Sequence, residues 1–204
     1  DSVIAAELCE AVAGKTGVPM LPVLPYGGSL GHSRRWPGTI ALPPITLIEV
    51  VKQIGDWAYH SGIRRLFIVN AHVTNAAPLR CALEMLRAVI NTATLSERVR
   101  QFHSADADDW HANDAEASIM LAIAPEGVRP DKLLDADDPD RTCGCVFAHP
   151  VNRTSLNGVT GSPSLATVEK GRQWFDWLVD DLAALIKTGM VETPPLPHSY
   201  FGDA

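Results

Sequence analysis

No apolar run in this sequence approaches the roughly 20 residues needed to cross a bilayer, and its first residues carry no basic region followed by an apolar signal core. Those absences predict a soluble, cytoplasmic chain with no membrane partner. Positive charge is also scarce: 17 Lys and Arg stand against 24 Asp and Glu, for a formal net charge of −7, and Arg34-Arg35 and Arg64-Arg65 are isolated pairs. Without a basic stripe nothing would neutralise a phosphate backbone, so nucleic acid is not an expected partner. Low-complexity tracts and internal repeats are missing, which argues against a tail or a solenoid. Only four cysteines occur. Cys9 and Cys81 fall within apolar helical patterns and read as small buried hydrophobes, and Cys143-Gly144-Cys145 is too closely spaced for the usual zinc pattern.

What is present is a chain of 204 residues, 46% hydrophobic, able to bury one sizeable core. A single domain over 1–204 is expected. Val3, Ile4, Leu8 and Val12 recur at helical spacing between Asp1 and Ala13, with Gly14 and Gly17 as stops, and Met20 to Leu24 then reads as a buried strand. After a Gly- and Pro-rich loop, Thr46 and Glu49 form a capping-box pattern for a helix striped by Ile48, Val51, Ile54, Trp57 and Ala58 and ending near Gly62. The most strand-like stretch follows, Arg65 to Asn70. A third helix from about Ala76 to Ile90, a strand at Val99 to His103, a short helix after Ser118 and a long one from about Ser164 to Lys187 complete the series. The long helix carries Val168, Trp174, Phe175, Leu178, Leu182 and Leu185 on one stripe. Strands separated by helices cannot pair through tight turns, so right-handed crossovers into a mainly parallel sheet are expected. The predicted fold is a three-layer α/β/α domain.

In such sheets ligands bind beyond the carboxyl ends of the strands. His72, just past the strand that ends at Asn70, lies at that edge, as does the loop running from Asp109, Trp110 and His111 to Glu116 and Ser118. Imidazole nitrogen combined with carboxylate oxygens suits zinc, manganese or iron(II) and suits copper(I) poorly. A site for divalent-metal hydrolysis is one reading. The other is that His72 and His111 are ordinary hydrogen-bonded histidines, and that Asp1 and Glu116 are first-turn acids favoured by helix dipoles.

Four ordered segments bear on that choice. They are Trp36-Pro37-Gly38-Thr39-Ile40, the strand end Asn70-Ala71-His72-Val73-Thr74-Asn75, the loop Asp109-Trp110-His111-Ala112 through Glu116-Ala117-Ser118, and Gly161-Ser162-Pro163 through Glu169-Lys170-Gly171-Arg172. They resemble, in order, the PGT loop, the NGHGGN strand end, the D-x-H-A-G-x-x-E-T-S loop and the G-x-P-x-x-A-x-x-E-K-G helix start of the creatininase (creatinine amidohydrolase) family. The resemblance implies a creatininase-like α/β fold, a homohexamer, and hydrolysis of a C–N bond other than a peptide bond in a small molecule. It also implies two divalent ions per site, zinc, manganese or iron.

Carried over by position, His72 matches a metal-binding histidine and Asp1 the aspartate that bridges both metals, with Glu116 a further ligand that also serves catalysis. His111, with Asp109 beside it, matches the histidine that passes a proton to the leaving nitrogen, a task suited to a group titrating near neutrality. Ser29 and His32 match a loop lining the substrate pocket, although either also suits a turn. Trp36, Trp110 and Asn157 are further pocket residues by the same resemblance, Trp110 equally reading as a packed aromatic.

Departures from the pattern shape the expectation. Two metal ligands of the family come from an upstream E-x-H segment, and this sequence starts at what resembles the last Asp of that stretch, so the domain is expected to lack the family's N-terminal strand and E-x-H loop. Thr74 stands where creatininase itself places a metal-binding glutamate, which argues against creatinine as the substrate. Ala71, Val73, Thr74 and Asn113 replace glycines, predicting a pocket reshaped by side chains near the metals. A second reading is a family-fold protein that has lost catalysis and acts as a binding or assembly subunit.

Overall fold

The computed structural model describes residues 1–33, 35–86, 112–193 and 195. The strand expected at Val99 to His103, the last turn of the third helix, and Asp109, Trp110 and His111 lie outside the described residues.

Helix α1 spans Ser2–Thr16 and buries Ile4, Leu8 and Val12, four residues apart and therefore on one face. Gly14 does not end it, because a helix-interior glycine costs only about 1 kcal/mol. Gly17 does: its φ of 72° is left-handed, and its N–H returns to Ala13 O at 2.8 Å. The short α2, Leu30–Ser33, precedes α3, Pro44–His60. The expected Thr46–Glu49 capping box is not formed. Pro43 occupies the cap position and Pro44 the first turn, where a fixed φ and a missing N–H favour initiation without a side-chain cap. The α3 stripe is also rotated from its expected position. Leu47, Val51, Gly55 and Ala58 are buried, while Trp57 is 72% exposed and Ile54 40% exposed.

A 3₁₀ turn, Val73–Asn75, leads into α4, Ala76–Leu86. Helix α5, Asp114–Ile123, is followed by the one-turn helices α6, Pro130–Leu133, and α7, Val151–Thr154, and then by α8, Val168–Val191. The long helix starts four residues later than expected because Pro163–Leu165 forms a separate 3₁₀ turn and Thr167 caps α8, its Oγ1 accepting from Lys170 N. Its buried residues are Gly171, Trp174, Val179, Leu182, Ala183 and Ile186, so Leu185 faces outward. Cys81 is exposed and Cys9 half-buried, against the expectation that both are core.

Layering follows from the segment between α3 and α4. Phe67 and Val69 pack on the cluster formed by α1 and α8, while Ile68 packs on the cluster formed by α3 and α4. Side chains that alternate in this way define an extended middle layer with helices on both faces. Residues 18–25 form a second extended stretch, and both line one cavity. Their carboxyl ends are joined: Ser2 Oγ donates to Pro25 O at 3.3 Å, Gly28 N donates to Asn75 Oδ1 at 2.7 Å, and Thr74 Oγ1 donates to Gly28 O. The two stretches therefore run in the same direction. Among the described residues neither pairs through its backbone into a sheet ladder, and the isolated bridge is the antiparallel one between Asp138 and Gly161.

The tightest packing lies between α5 and α8. A Cβ on Gly171 would meet Ser118 O at 1.8 Å, so only glycine permits this approach of the two helices. Ser118 Oγ accepts from Thr167 N at 3.0 Å, and Trp174, 1% exposed, fills the cluster with Ile4, Ala115 and Ile119.

Candidate functional site

The carboxyl ends of both extended stretches deliver polar residues to one place. Asp1, at the start of α1, puts Oδ2 3.2 Å from His72 Nδ1, and His72 sits past the end of the 64–71 stretch. Asn70 fixes the local turn, accepting from His72 N at 3.2 Å and donating to His72 O at 2.9 Å. Asn75 donates to Asn70 Oδ1 at 3.1 Å and extends the brace to Gly28. A Cβ on Gly27 would lie 2.7 Å from the Asn75 amide, so this crossing favours glycine.

Glu116 lies within electrostatic reach of His72 and raises its pKa, but burial, the largest influence, lowers it. The net direction is down. His32 behaves similarly, lowered chiefly by burial and by the charge of His72, against a raising hydrogen bond to Gly158. Both rings are thus held neutral near pH 7, the form in which an imidazole nitrogen binds metal.

His32 is held by Ser29 Oγ, 3.2 Å from Nδ1, and by Gly158 O, 3.4 Å from Nε2. Trp36 stacks at 5.4 Å between ring centroids, tilted by 44°, and a Cβ on Gly158 would touch both rings. Ser29, His32 and Trp36 therefore form one wall. Asn157 does not present a free amide to it: Nδ2 donates to Ala136 O at 2.8 Å and Oδ1 accepts from Val159 N at 2.9 Å, so the side chain braces its own loop.

Asn113 does not crowd the Asp1–His72 pair. It is 2% exposed and caps α5, Oδ1 accepting from Ala115 N and Glu116 N. Thr74 likewise spends its hydroxyl on Gly28 O, and Val73 points outward at 59% exposed. Asn113 and Thr74 thus brace loops, while Ala71 lines the cavity beside His72. Glu116 Oε2 accepts from the N–H of Ala112, whose φ of 52° is left-handed, so the chain folds back over the first turn of α5.

Asp138 escaped sequence reasoning. Its Oδ2 accepts from Leu156 N at 2.7 Å and Ser155 Oγ at 2.8 Å, and Oδ1 pairs with Arg141 at 2.6 Å. The Arg141 guanidinium and these donors hold its carboxyl well below the usual carboxylate range. It thereby anchors the loop that brings Gly158 to His32. Four acids crowd residues 135–140, and nothing in the sequence marks the one that is buried.

Two ligands about 2.0–2.2 Å from a shared ion stand about 2.8–3.6 Å apart at octahedral to tetrahedral angles. The Asp1–His72 separation of 3.2 Å fits that range, and the donor types suit zinc or manganese. Among the described residues no cluster of three or more ligating side chains forms, so the pair supplies part of a coordination set.

The profile of the family described as "Creatininase: Creatinine amidohydrolase" matches residues 1–186. A mycofactocin precursor peptide peptidase of Mycobacterium tuberculosis is 31% identical over 79% of this chain, which spans 62% of that relative's length. A creatinine amidohydrolase of Pseudomonas putida is 26% identical over 96% of the chain and 83% of its own length. Among solved structures, a manganese creatininase superimposes with a TM-score of 0.81 at 25% identity, covering 94% of this chain and 84% of that one. A zinc–zinc form of a creatininase mutant does so with a TM-score of 0.78 at 27% identity, over 94% and 83%. The three-layer α/β arrangement of this chain is the fold of those structures.

Proposed function

Because this chain belongs to the creatininase family, we propose that it is a metal-dependent hydrolase cleaving an amide C–N bond of a small molecule, cyclic amides and formamides included. The observation that carries the reading is the Asp1–His72 pair, two neutral-pH donors at a ligand-to-ligand separation, set where the two extended stretches end. Asp1 and His72 would hold the cation, with Glu116, within electrostatic reach of His72, a further carboxylate. Zinc or manganese supplies Lewis acidity there, activating water near neutral pH and polarising a carbonyl.

The chain's own residues do the rest. Ser29 holds the His32 ring in place, and with Trp36 this wall orients a flat amide against the metal-binding pair. His111, preceded in sequence by Asp109 and Trp110, would deliver a proton to the departing nitrogen, which an amide requires because an amide anion is too basic to leave. Asn157 contributes through the loop it braces. The family resemblance supports assembly as a homohexamer, which light scattering reads directly.

The test combines metal binding with turnover. Manganese or zinc should raise the melting temperature of wild type and leave His72→Ala unmoved, since a ligand that binds only the folded state stabilises it. Metal-loaded protein should release amine from a panel of cyclic amides and formamides, with His111→Ala slowed at least 100-fold. Cleavage of peptides alone would overturn the small-molecule assignment. Equal metal stabilisation of His72→Ala would overturn the site, and metal binding without turnover of any panel member would favour the binding-subunit reading.

A further inference from the structure

The loop that runs from Arg141 to α7 carries two thiols that nothing in the site above uses. Cys143 and Cys145 are both free and exposed. Cys145 N donates to Thr142 O at 2.9 Å and Gly144 has a φ of 80°, so residues 142–145 form a tight turn with its third position left-handed. Asp140 fixes the start of the turn, accepting from Thr142 N at 2.8 Å and from Thr142 Oγ1 at 2.7 Å. Cys145 Sγ folds back over the turn to Arg141 O at 3.8 Å. Both ends of the loop are pinned, Arg141 by its 2.6 Å pair with Asp138 and Val151 by its packing on Gly31 of α2. The turn itself is open to solvent: a Cβ on Gly144 would meet nothing within 4 Å, and Val146 and Phe147, which follow, are 91% and 78% exposed.

We propose that Cys143 and Cys145 are a reversible dithiol–disulfide site whose oxidant is a low-molecular-weight disulfide such as glutathione disulfide. The second and fourth Cα atoms of such a turn stand about 5–6 Å apart, inside the roughly 4.4–6.8 Å that a disulfide bridges. Gly144 between them gives the backbone the freedom to bring the two Cβ atoms together. In the first step one cysteine thiolate attacks a sulfur of the reagent, whose S–S bond breaks to release a glutathione thiolate. In the second the other cysteine attacks the protein-side sulfur of the mixed disulfide, closing the ring and expelling the second glutathione. The two cysteine sulfurs lose two electrons, the reagent gains them, and the two thiol protons end on the two glutathiones. Because the second step is intramolecular, it outruns attack by another thiol from solution. The bond formed is also easily reopened, since a small ring in an exposed turn is the labile kind of disulfide. Cys81, exposed on α4 with no second cysteine near it in sequence, stops at the mixed disulfide.

Thiol mapping of the folded protein tests this apart from metal and turnover, so its failure leaves the hydrolase reading standing and the reverse also holds. The protein is incubated with glutathione disulfide, quenched in acid and digested with trypsin, which releases fragment 142–153 with both sulfurs and no other cysteine. That fragment should lose two hydrogens, the closed form exceeding the glutathione adduct there by about 10-fold or more, while Cys81 carries the adduct. Excess reduced glutathione should restore the dithiol. Cys143→Ser and Cys145→Ser should each accumulate the adduct on the thiol that remains in the fragment. The proposal is overturned if wild type holds stable adducts on 142–153, or if these cysteines join two chains instead of each other. It is equally overturned if the ring closes only in urea, which would deny the turn any part in it. A closed ring that survives reduced glutathione under native conditions that strip the adduct from Cys81 would be a structural bridge, and would overturn the reversible site.

Discussion

The α5–α8 end of the molecule and the half built on the two extended stretches differ in how their backbones are satisfied. Helices close their own hydrogen bonds, so α5 and α8 need only complementary surfaces, and they have them: Gly171 against Ser118, Trp174 in its cluster, Asn113 as cap. Extended backbone has no internal partner, so the 18–25 and 64–71 stretches depend on a neighbour and meanwhile expose Leu21 and Met20. Completeness in this fold is thus local for helices and borrowed for strands.

Substitutions of equal kind should separate the halves. Trp174→Ala, emptying a site 1% exposed, should cost about 3–5 kcal/mol and lower the melting temperature by about 6–20 °C at 2–4 °C per kcal/mol. Leu21→Ala, at a residue 54% exposed, should shift it by under about 0.5 kcal/mol. A larger loss at Leu21 would mean the stretch is already covered in solution. Gly171→Ala should cost about 3 kcal/mol by forcing α5 from α8, read by calorimetry, whereas Gly14→Ala, with open space around its Cβ, should be neutral or stabilising.

Asp138→Asn should cost about 2 kcal/mol by weakening charge-assisted bonds to Leu156, Ser155 and Arg141. The sign of its pH dependence is fixed by the depressed folded pKa. Stability from the carboxylate is full above the unfolded value of about 3.9 and declines as pH falls below it toward the folded pKa. Melting curves of wild type and variant should therefore differ most near neutrality and converge in acid. A gap that widens below pH 4 would contradict the ion pair. Loosening of the 155–161 loop should also free Gly158 from His32, raising KM more than it lowers kcat.

Periodicity sufficed where a helix meets one neighbour. The Ile4, Leu8, Val12 face was legible, and so was the extended character of the stretch ending at Asn70, but not that Phe67 and Val69 pack one way and Ile68 the other. It failed for α3, where both the core and the open cleft draw apolar residues, so the expected stripe was rotated from the buried face. Capping was misread at Thr46 because a proline pair initiates the helix first. At the site, the nearness of Asp1 to His72 was anticipated from resemblance, but the bracing roles of Asn113, Thr74 and Asn157 were not. Their partners lie in other loops, and a side-chain amide or hydroxyl gives no sign in sequence of which backbone group it will meet.

Residue order alone determined which segments coil, which extend, and which donor types sit at their ends, because those follow from spacing and from the chemistry of each side chain. Tertiary structure decided that Asp1 meets His72 across 71 positions of chain, that Asp138 is the buried acid among four, and that an apolar cleft separates two parallel stretches. Each of these depends on contacts between segments distant in sequence, which no local pattern encodes.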